Sequence, residues 1–409
     1  MSRRRLLVVE EPLRDYYGHF FEYARMLAES NRRTGVEVDV AAHRDAQPAV
    51  LAALGATPVF RYTTWDDLYR GGGIRRWRNY ALHGWRTLRD LRRFLRGRER
   101  YDLVYVATVT AFQLPAWRML LALDAGRRFR QLVLHIRLGW AKYPESSAEP
   151  VFKKKVREVA GLLRSFEGHE KAGTVRFVSD SRRLAAEIRQ LCDLELEVLP
   201  HPVEAGEAGE AVELAAVERS PHRVVLSALG PARREKGTLL IQRAIRRIFE
   251  VSPDFPARFV LHWGGRVTDP LLERDPVLEA DARVEFLDYD LGPEEYRRRL
   301  LASDCILVPY RREQYAARIS GVALEAAVSG IPTIYTRDTW LEDAATQWGC
   351  GLGIEDGEVE DLAEKIRILA SNVEKYRATA RERAPLARRY HSPENHRRLL
   401  WGDPDGTPA

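Results

Sequence analysis

Residues 227–237 read SALGPARREKG, between an apolar run at 223–229 and an amphipathic run at 237–249. Strand, glycine-bearing loop and helix in that order open an α/β crossover. A loop that ends at a helix N-terminus presents unpaired N–H groups and the positive end of the helix dipole, so it favours an anion. Arg233, Arg234 and Lys236 add positive charge there. Arginine offers phosphate oxygens a planar fork and lysine a point charge. Charge alone would also fit a solvated basic turn. A second stretch changes the weighting: residues 310–333 read YRREQYAARISGVALEAAVSGIPT. Ser320, Gly321 and Val322 begin a helix whose inward face carries Leu324 and Ala327, and small residues there let a ligand reach the backbone N–H groups. Glu325 stands one turn in, where a carboxylate can accept two hydrogen bonds from a vicinal diol such as a ribose. Gly330 and Pro332 end the helix and lead into the next strand.

The same rhythm extends both ways. Residues 5–10 read as a buried strand, 18–30 as a helix and 36–42 as an alternating strand. Further strands are expected at 102–107, 131–136, 174–178 and 195–199. Residues 204–222, EAGEAGEAVELAAVERSPH, are small and acidic without a core face, and read as an interdomain linker. Beyond it, strands are expected at 257–263, 284–287, 305–309, 332–335 and 351–354, with helices at 293–302, 320–329 and 359–371. The pattern predicts two doubly wound α/β domains: 1–203, completed by about 386–409, and 223–385.

The length of 409 residues fits two or three domains of about 100–200 residues each. An apolar content of 45% excludes a disordered chain. No apolar run approaches the roughly 20 residues of a membrane span. The start, MSRRRLLVVEE, turns acidic too early for a signal peptide. Cys192, Cys305 and Cys350 are odd in number and far apart, against a disulfide framework or a zinc site, and a cytoplasmic protein is expected. The net charge of +6 is unevenly spread: residues 1–200 hold 36 basic and 24 acidic side chains, so the remainder is net acidic.

Together these segments resemble nucleotide-sugar-dependent glycosyltransferases of the GT-B fold, most like glycosyltransferase family 4 (group 1). The residues that carry the resemblance are Glu235-Lys236-Gly237 and, about 90 residues later, Glu325-Ala326 with Gly330-Ile331-Pro332. Between them lie Gly264-Gly265, a helix bearing Glu294-Glu295-Tyr296, and Ala302-Ser303-Asp304. The resemblance implies two Rossmann-like domains with a cleft between them and a C-terminal helix crossing back. It implies donor diphosphate contacts at Gly18, Gly230, Arg233, Lys236, Ser320, Gly321 and Val322, and ribose contact at Glu325. Two departures stand out. Pro231 occupies the family's diphosphate-arginine position, so Arg233 is the expected substitute. Ala317 replaces the first Glu of the family's Glu-x7-Glu element, which leaves donor sugar and stereochemistry open.

In the first domain, residues 16–20, YYGHF, resemble the family's loop after the first strand. His135, at the end of a strand where open α/β sheets gather ligands, matches a family histidine near the donor sugar. Catalytic candidates are His135, His19 and Glu11, with Asp15 as a further base for an inverting reaction. Asp66-Asp67 lacks the strand context of a metal-binding pair, and neither metal nor cofactor is expected. The implied reaction is transfer of a sugar from a nucleoside-diphosphate donor to a glycan, polysaccharide precursor or lipid-linked acceptor, with retention by resemblance. A nucleotide-sugar epimerase or a non-catalytic nucleotide-sugar binder is the alternative.

Residues 74–100 hold ten arginines against Asp90 and Glu99. Trp85, Leu88, Leu91 and Leu95 fall at helical spacing, with Arg89, Arg92, Arg93 and Arg96 between them. Such a face suits an anionic membrane surface or acidic acceptor, with Trp85, Arg89, Arg92 and Arg93 as the patch and a peripheral location at the inner membrane face. It suits a core-packed helix with solvated arginines equally well. No nucleic-acid motif is present, so nucleic acid is not an expected partner.

Overall fold

A computed structural model describes residues 3–16, 19–65, 73–124, 126–144, 149–153, 156–204, 224–264 and 269–403. Residues 205–223, which hold nearly all of the expected linker, lie outside the described residues. The chain divides into two compact units. The first comprises Met1–Ala141, Phe152–Pro202 and Pro393–Ala409; the second comprises Lys142–Val151 and Val203–Ser392. Residues 142–151 therefore group with the second unit, where Lys142 Nζ lies 3.4 Å from the Glu313 carboxylate.

The first unit is built on a parallel sheet of β1 (Arg5–Val9), β2 (Glu37–His43), β3 (Ala56–Phe60), β4 (Tyr101–Val106), β5 (Phe129–Ile136), β6 (Val175–Ser179) and β7 (Glu197–Val198). Their spatial order is β3-β2-β1-β4-β5-β6-β7. Leu6–Val9 and Leu103–Val106 are buried throughout, as strands covered on both faces must be. Helix His19–Arg32 packs Tyr23, Ala24 and Leu27 against Leu6, Val8 and Tyr105. The last helix, Pro393–Leu400, also belongs here. Leu400 joins the same cluster, and Trp401 Nε1 donates to Asn31 Oδ1 at 2.7 Å. The return of the chain's end to the first unit is thus held by core burial and a hydrogen bond.

The second unit's parallel sheet contains β8 (Val224–Ala228), β9 (Ala257–His262), β10 (Val284–Leu287), β11 (Cys305–Val308), β12 (Thr333–Thr336) and β13 (Gly351–Ile354). Their order is β10-β9-β8-β11-β12-β13. The sheet alternates its faces. Leu226, Phe259 and Leu307 pack with helices Thr238–Val251 and Val359–Ser371, while Ile306 and Val308 pack with Gly321–Ser329 and Trp340–Gln347. Gly237 joins β8's loop to its helix at φ 71°, and a Cβ there would lie 2.2 Å from the Pro309 carbonyl oxygen. Only glycine satisfies both constraints. The GT-B expectation of two Rossmann-like sheets is met.

A buried ion pair ties the long helix Val373–Tyr390 to this sheet: Arg377 Nη1 lies 2.5 Å from Asp304 Oδ1, while Asp304 Oδ2 accepts from the Val225 N–H at 2.9 Å. Replacing Arg377 with alanine strands a buried carboxylate, and such broken pairs typically cost about 3–5 kcal/mol. We expect the second unit of Arg377→Ala to melt several degrees lower by scanning calorimetry; an unchanged profile would show the pair contributes nothing.

Candidate active site

The loop after β8 delivers the charge that the sequence singled out. Leu229 is buried, and Gly230 turns the chain at φ 84°. A Cβ at Gly230 would fall 2.5 Å from Lys236 Nζ, so the bare glycine leaves room for that ammonium. One 3-10 turn, Arg234–Lys236, brings the lysine back beneath the glycine. Its Nζ lies 5.9 Å from the centre of the Tyr310 ring and makes no hydrogen bond or ion pair among the described residues. Burial drives the Lys236 pKa down to about 7, assisted by Arg233 and Arg318 and opposed by Glu235 and Glu325. Arg233 stands 3.6 Å from Glu235. Its backbone is clasped by Thr238, whose Oγ1 accepts from the Arg233 N–H at 3.1 Å and donates to its carbonyl at 2.9 Å.

The second stretch supplies the facing half. Ser320 caps helix Gly321–Ser329, its Oγ accepting from the Ala323 N–H at 3.3 Å. The N–H groups of Gly321 and Val322 have no partner within the helix, as its first turn dictates. Gly321 is exposed, with no atom within 4 Å of where a Cβ would be, so the approach to them is open.

Glu325 lies one turn in, and burial raises its pKa to about 7 against the lowering effects of Tyr296 and Lys236. The Tyr296 hydroxyl donates to Glu325 Oε2. Oε2 therefore already accepts one hydrogen bond, while Oε1 and the second lone pair of Oε2 remain as acceptor sites of the ionised carboxylate. Sequence reading placed Tyr296 in a landmark helix but missed this contact, which crosses 29 residues. Its only signal was a polar aromatic on the helix Pro293–Leu301. Lys236 also lines an open, shallow hollow with Gly230, His262, Trp263 and Tyr310.

In the first unit the candidates fare differently. Gly18 lies outside the described residues, as does Asp66-Asp67, and His19 begins helix His19–Arg32. Glu11 is buried and engaged: its oxygens accept from Gln113 Nε2 at 2.5 Å and Thr87 Oγ1 at 3.4 Å, and His83 Nε2 is 3.0 Å away. That environment fixes the carboxylate in place. Asp15 is partly exposed. His135 is fully buried in β5, with Nδ1 2.6 Å from the Tyr105 hydroxyl, and its pKa is held well below the usual value by burial and by Arg137. Among the described residues no group of three His, Cys, Asp or Glu side chains is arranged to hold a metal.

Residues 222–372 match the family model described as Glycosyl transferases group 1. The match covers the loop of residues 229–237 and the Glu325 helix together. A stretch of 183 residues is 29% identical to the D-inositol 3-phosphate glycosyltransferase of Corynebacterium urealyticum, over 43% of this chain and 41% of that one. The chain thus spans about two-fifths of that relative's length. Among solved structures, Anabaena Alr3699/HepE in complex with UDP and glucose superposes with a TM-score of 0.64 at 14% identity, over 98% of this chain and 99% of that one. Sucrose-phosphate synthase of Thermosynechococcus elongatus gives 0.63 at 15%, over 98% of each chain. At such identities these likenesses establish the GT-B fold of the whole chain, while the group 1 match lies in its second half.

The basic helix, Gly73–Leu95, resolves into two faces. Leu88, Leu91 and Leu95 are buried in the first unit's interior, so the leucine edge is unavailable to a lipid surface. Trp85 is 56% exposed, Arg89 stacks over it at 5.1 Å, and Arg92, Arg93 and Arg96 are exposed. No helix among the described residues is long and apolar enough to cross a membrane.

Lys236 carries a testable cost. Its ammonium is held at about 7 here against 10.5 ordinarily, so keeping it destabilises the empty protein below pH 10.5, most strongly near and below pH 7. We expect Lys236→Met to melt higher by roughly 3 °C or more at pH 7, the gain shrinking as pH rises towards 10. The same variant should bind nucleoside diphosphates about 10- to 100-fold more weakly by calorimetry, the worth of a charged hydrogen bond. A lower melting temperature at every pH would refute this account of the lysine.

Proposed function

We propose that the protein transfers a sugar from a nucleoside-diphosphate sugar to a glycan, polysaccharide precursor or lipid-linked acceptor, without a metal and with retention at the anomeric carbon. The observation that carries this reading is the half-buried Lys236 ammonium, without an ion pair among the described residues, in one unit with the open N-terminus of helix Gly321–Ser329 and in a segment matching the group 1 model. Departure of the nucleoside diphosphate develops negative charge on its phosphates. Lys236, Arg233 and the N–H groups of Gly321 and Val322 are fixed donors that need no reorganisation to receive it. An arriving diphosphate supplies the counter-ion Lys236 lacks, so its pKa rises and the lysine stays protonated as the bond breaks. Glu325 takes a ribose hydroxyl on the oxygen that Tyr296 leaves open.

A second reading, a nucleotide-sugar binder without turnover, is favoured by Ala317, buried where the resembled family has glutamate. A panel of UDP-, GDP-, ADP- and TDP-sugars separates the two. Calorimetric binding of at least one donor, with its slow hydrolysis or its transfer to an added acceptor, is the expected result. Binding with no turnover on any acceptor selects the second reading, and no binding at all overturns both.

The exposed Trp85 and its neighbouring arginines support a peripheral site at an anionic, cytoplasmic membrane face. Co-sedimentation with phosphatidylglycerol-containing vesicles at low salt should fall when Arg89, Arg92 and Arg93 become glutamate. Equal sedimentation of both proteins would remove the membrane from the proposal.

A further inference from the structure

Helices Gly73–Leu95 and Leu114–Asp124 are the crossovers from β3 to β4 and from β4 to β5. Both move the same way along the sheet order, so right-handed connections put them on one face of the first sheet. They meet at Gly84, where a Cβ would stand 3.5 Å from Pro115 Cβ. Crossover helices run against the strands they join, so both finish beside the amino ends of β4 and β5. The Leu95 carbonyl accepts from Arg128 Nη1 at 3.0 Å, and the Arg128 carbonyl from the Tyr101 N–H at 2.9 Å. Ligands of open parallel sheets bind at the other end of the strands.

This corner is strongly basic, and its acids are already engaged. Asp124 lies 3.8 Å from Arg128, Asp102 3.2 Å from Arg130, Asp39 3.3 Å from Arg98 and Glu99 3.6 Å from Arg5. Arg92, Arg93, Arg96, Arg100 and Arg127 are exposed and have no carboxylate partner among the described residues. A Cβ at Gly126 would stand 4.0 Å from Arg100 Nη2, so the two arginine-bearing loops adjoin. The same corner leaves apolar surface in water. Met119 is 50% and Leu123 53% exposed, one and two turns beyond Pro115. Leu88 and Arg92 stand one and two turns beyond Gly84, so at equal rise Met119 comes level with Leu88 and Leu123 with Arg92. The basic helix spends its own leucine edge on the core, and its neighbour supplies apolar side chains on the outside.

We propose that the C-terminal ends of these two helices, with the loops at 96–100 and 126–128, form a contact surface for an anionic phospholipid bilayer. The free guanidiniums meet lipid phosphates, and Met119 and Leu123 enter the acyl boundary. A bilayer interface offers anionic and apolar layers together. A nucleic acid would match the arginines and leave both apolar side chains in water. The inference deepens the peripheral-membrane reading, which used Trp85, Arg89, Arg92 and Arg93, by adding a second helix and an apolar anchor; it does not rest on sugar transfer. It also gives the contact a direction: the bilayer meets the first unit at the amino ends of its strands, so the surface anchors the protein away from the strand ends that take ligands.

The full-length chain tests it by co-sedimentation with phosphatidylcholine vesicles, with and without phosphatidylglycerol, over a series of salt concentrations. We expect the wild type to favour the anionic vesicles. Changing Arg96, Arg100 and Arg127 to glutamate should weaken that binding about 100-fold at low salt. Met119→Ser with Leu123→Ser should weaken it about tenfold at every salt concentration where binding is measurable, since apolar contact is not screened. All these positions are exposed, so melting temperatures should stay at the wild-type value. If both variants sediment like the wild type while glutamate at Arg89, Arg92 and Arg93 abolishes binding, the two-helix surface is overturned and the peripheral reading stands. If only the arginine variant loses binding, charge alone holds the partner and the bilayer anchor is overturned. No sedimentation of the wild type removes both. A lipid-free dimer that Met119→Ser with Leu123→Ser dissolves would assign the surface to a second copy of the chain and overturn the bilayer as its occupant.

Discussion

One lysine ammonium, half-buried and without an ion pair among the described residues, constrains the loops around it in the second unit. Charges leave water only at high cost unless paired, so an unpaired one persists only where the surroundings hold it. Gly230 yields the space that any side chain would fill, Gly237 turns against the Pro309 carbonyl, and Tyr310 offers its ring face. Removing the side chain at either glycine is therefore a condition for placing the charge. The counterpart is Glu325, a carboxyl that burial pushes to about 7, as burial pushes Lys236 down to about 7. They favour each other's charged forms across the site. On the proposed function, a diphosphate would complete the lysine's environment and a ribose hydroxyl the carboxylate's.

The first unit obeys the same constraint in another form. A parallel sheet covered on both faces has no room for polar side chains along its strands, so they collect where strands end. Val8, Tyr105 and Val133 pair across β1, β4 and β5, and the polar residues Glu10, His135 and Arg137 sit at the ends of those rows. Tyr23 from the first helix and His396 from the last close the network. The chain's return to the first unit thus joins a strand-end histidine to a buried polar network as well as covering the core.

How much of this was legible in sequence depended on range. Three elements were read to the residue, the short strands 284–287 and 351–354 from their place in the alternating α/β order and the helix 359–371 from its period. Gly330 ends its helix in the left-handed conformation, as its place before Ile331-Pro332 suggested. Helix Pro48–Leu54 and β3 were not read, because seven residues carry too little periodicity and Pro58 argues against a strand; β3 tolerates it as the sheet's edge. The strand–loop–helix of residues 224–251 was legible because its residues are consecutive. Tyr296 with Glu325 and Glu10 with Arg137 were not, since only the fold brings them together. The basic helix was ambiguous for a related reason: period showed a leucine edge, and only packing shows that Leu88, Leu91 and Leu95 spend it on the core.

The charge division acquires a physical meaning from these placements. The first half's excess of positive charge lies outside, in exposed residues such as Arg92, Arg93 and Arg96. Its strand ends hold Glu10, Glu11 and an Arg137 already matched by Asp180. Surface basicity acts over about a Debye length in salt and is indifferent to fine geometry. Buried donors and acceptors act at contact and select by hydrogen bonding. The first half's surplus positive charge is therefore a property of its surface, and the strand ends of its sheet are left to hydrogen bonding at contact.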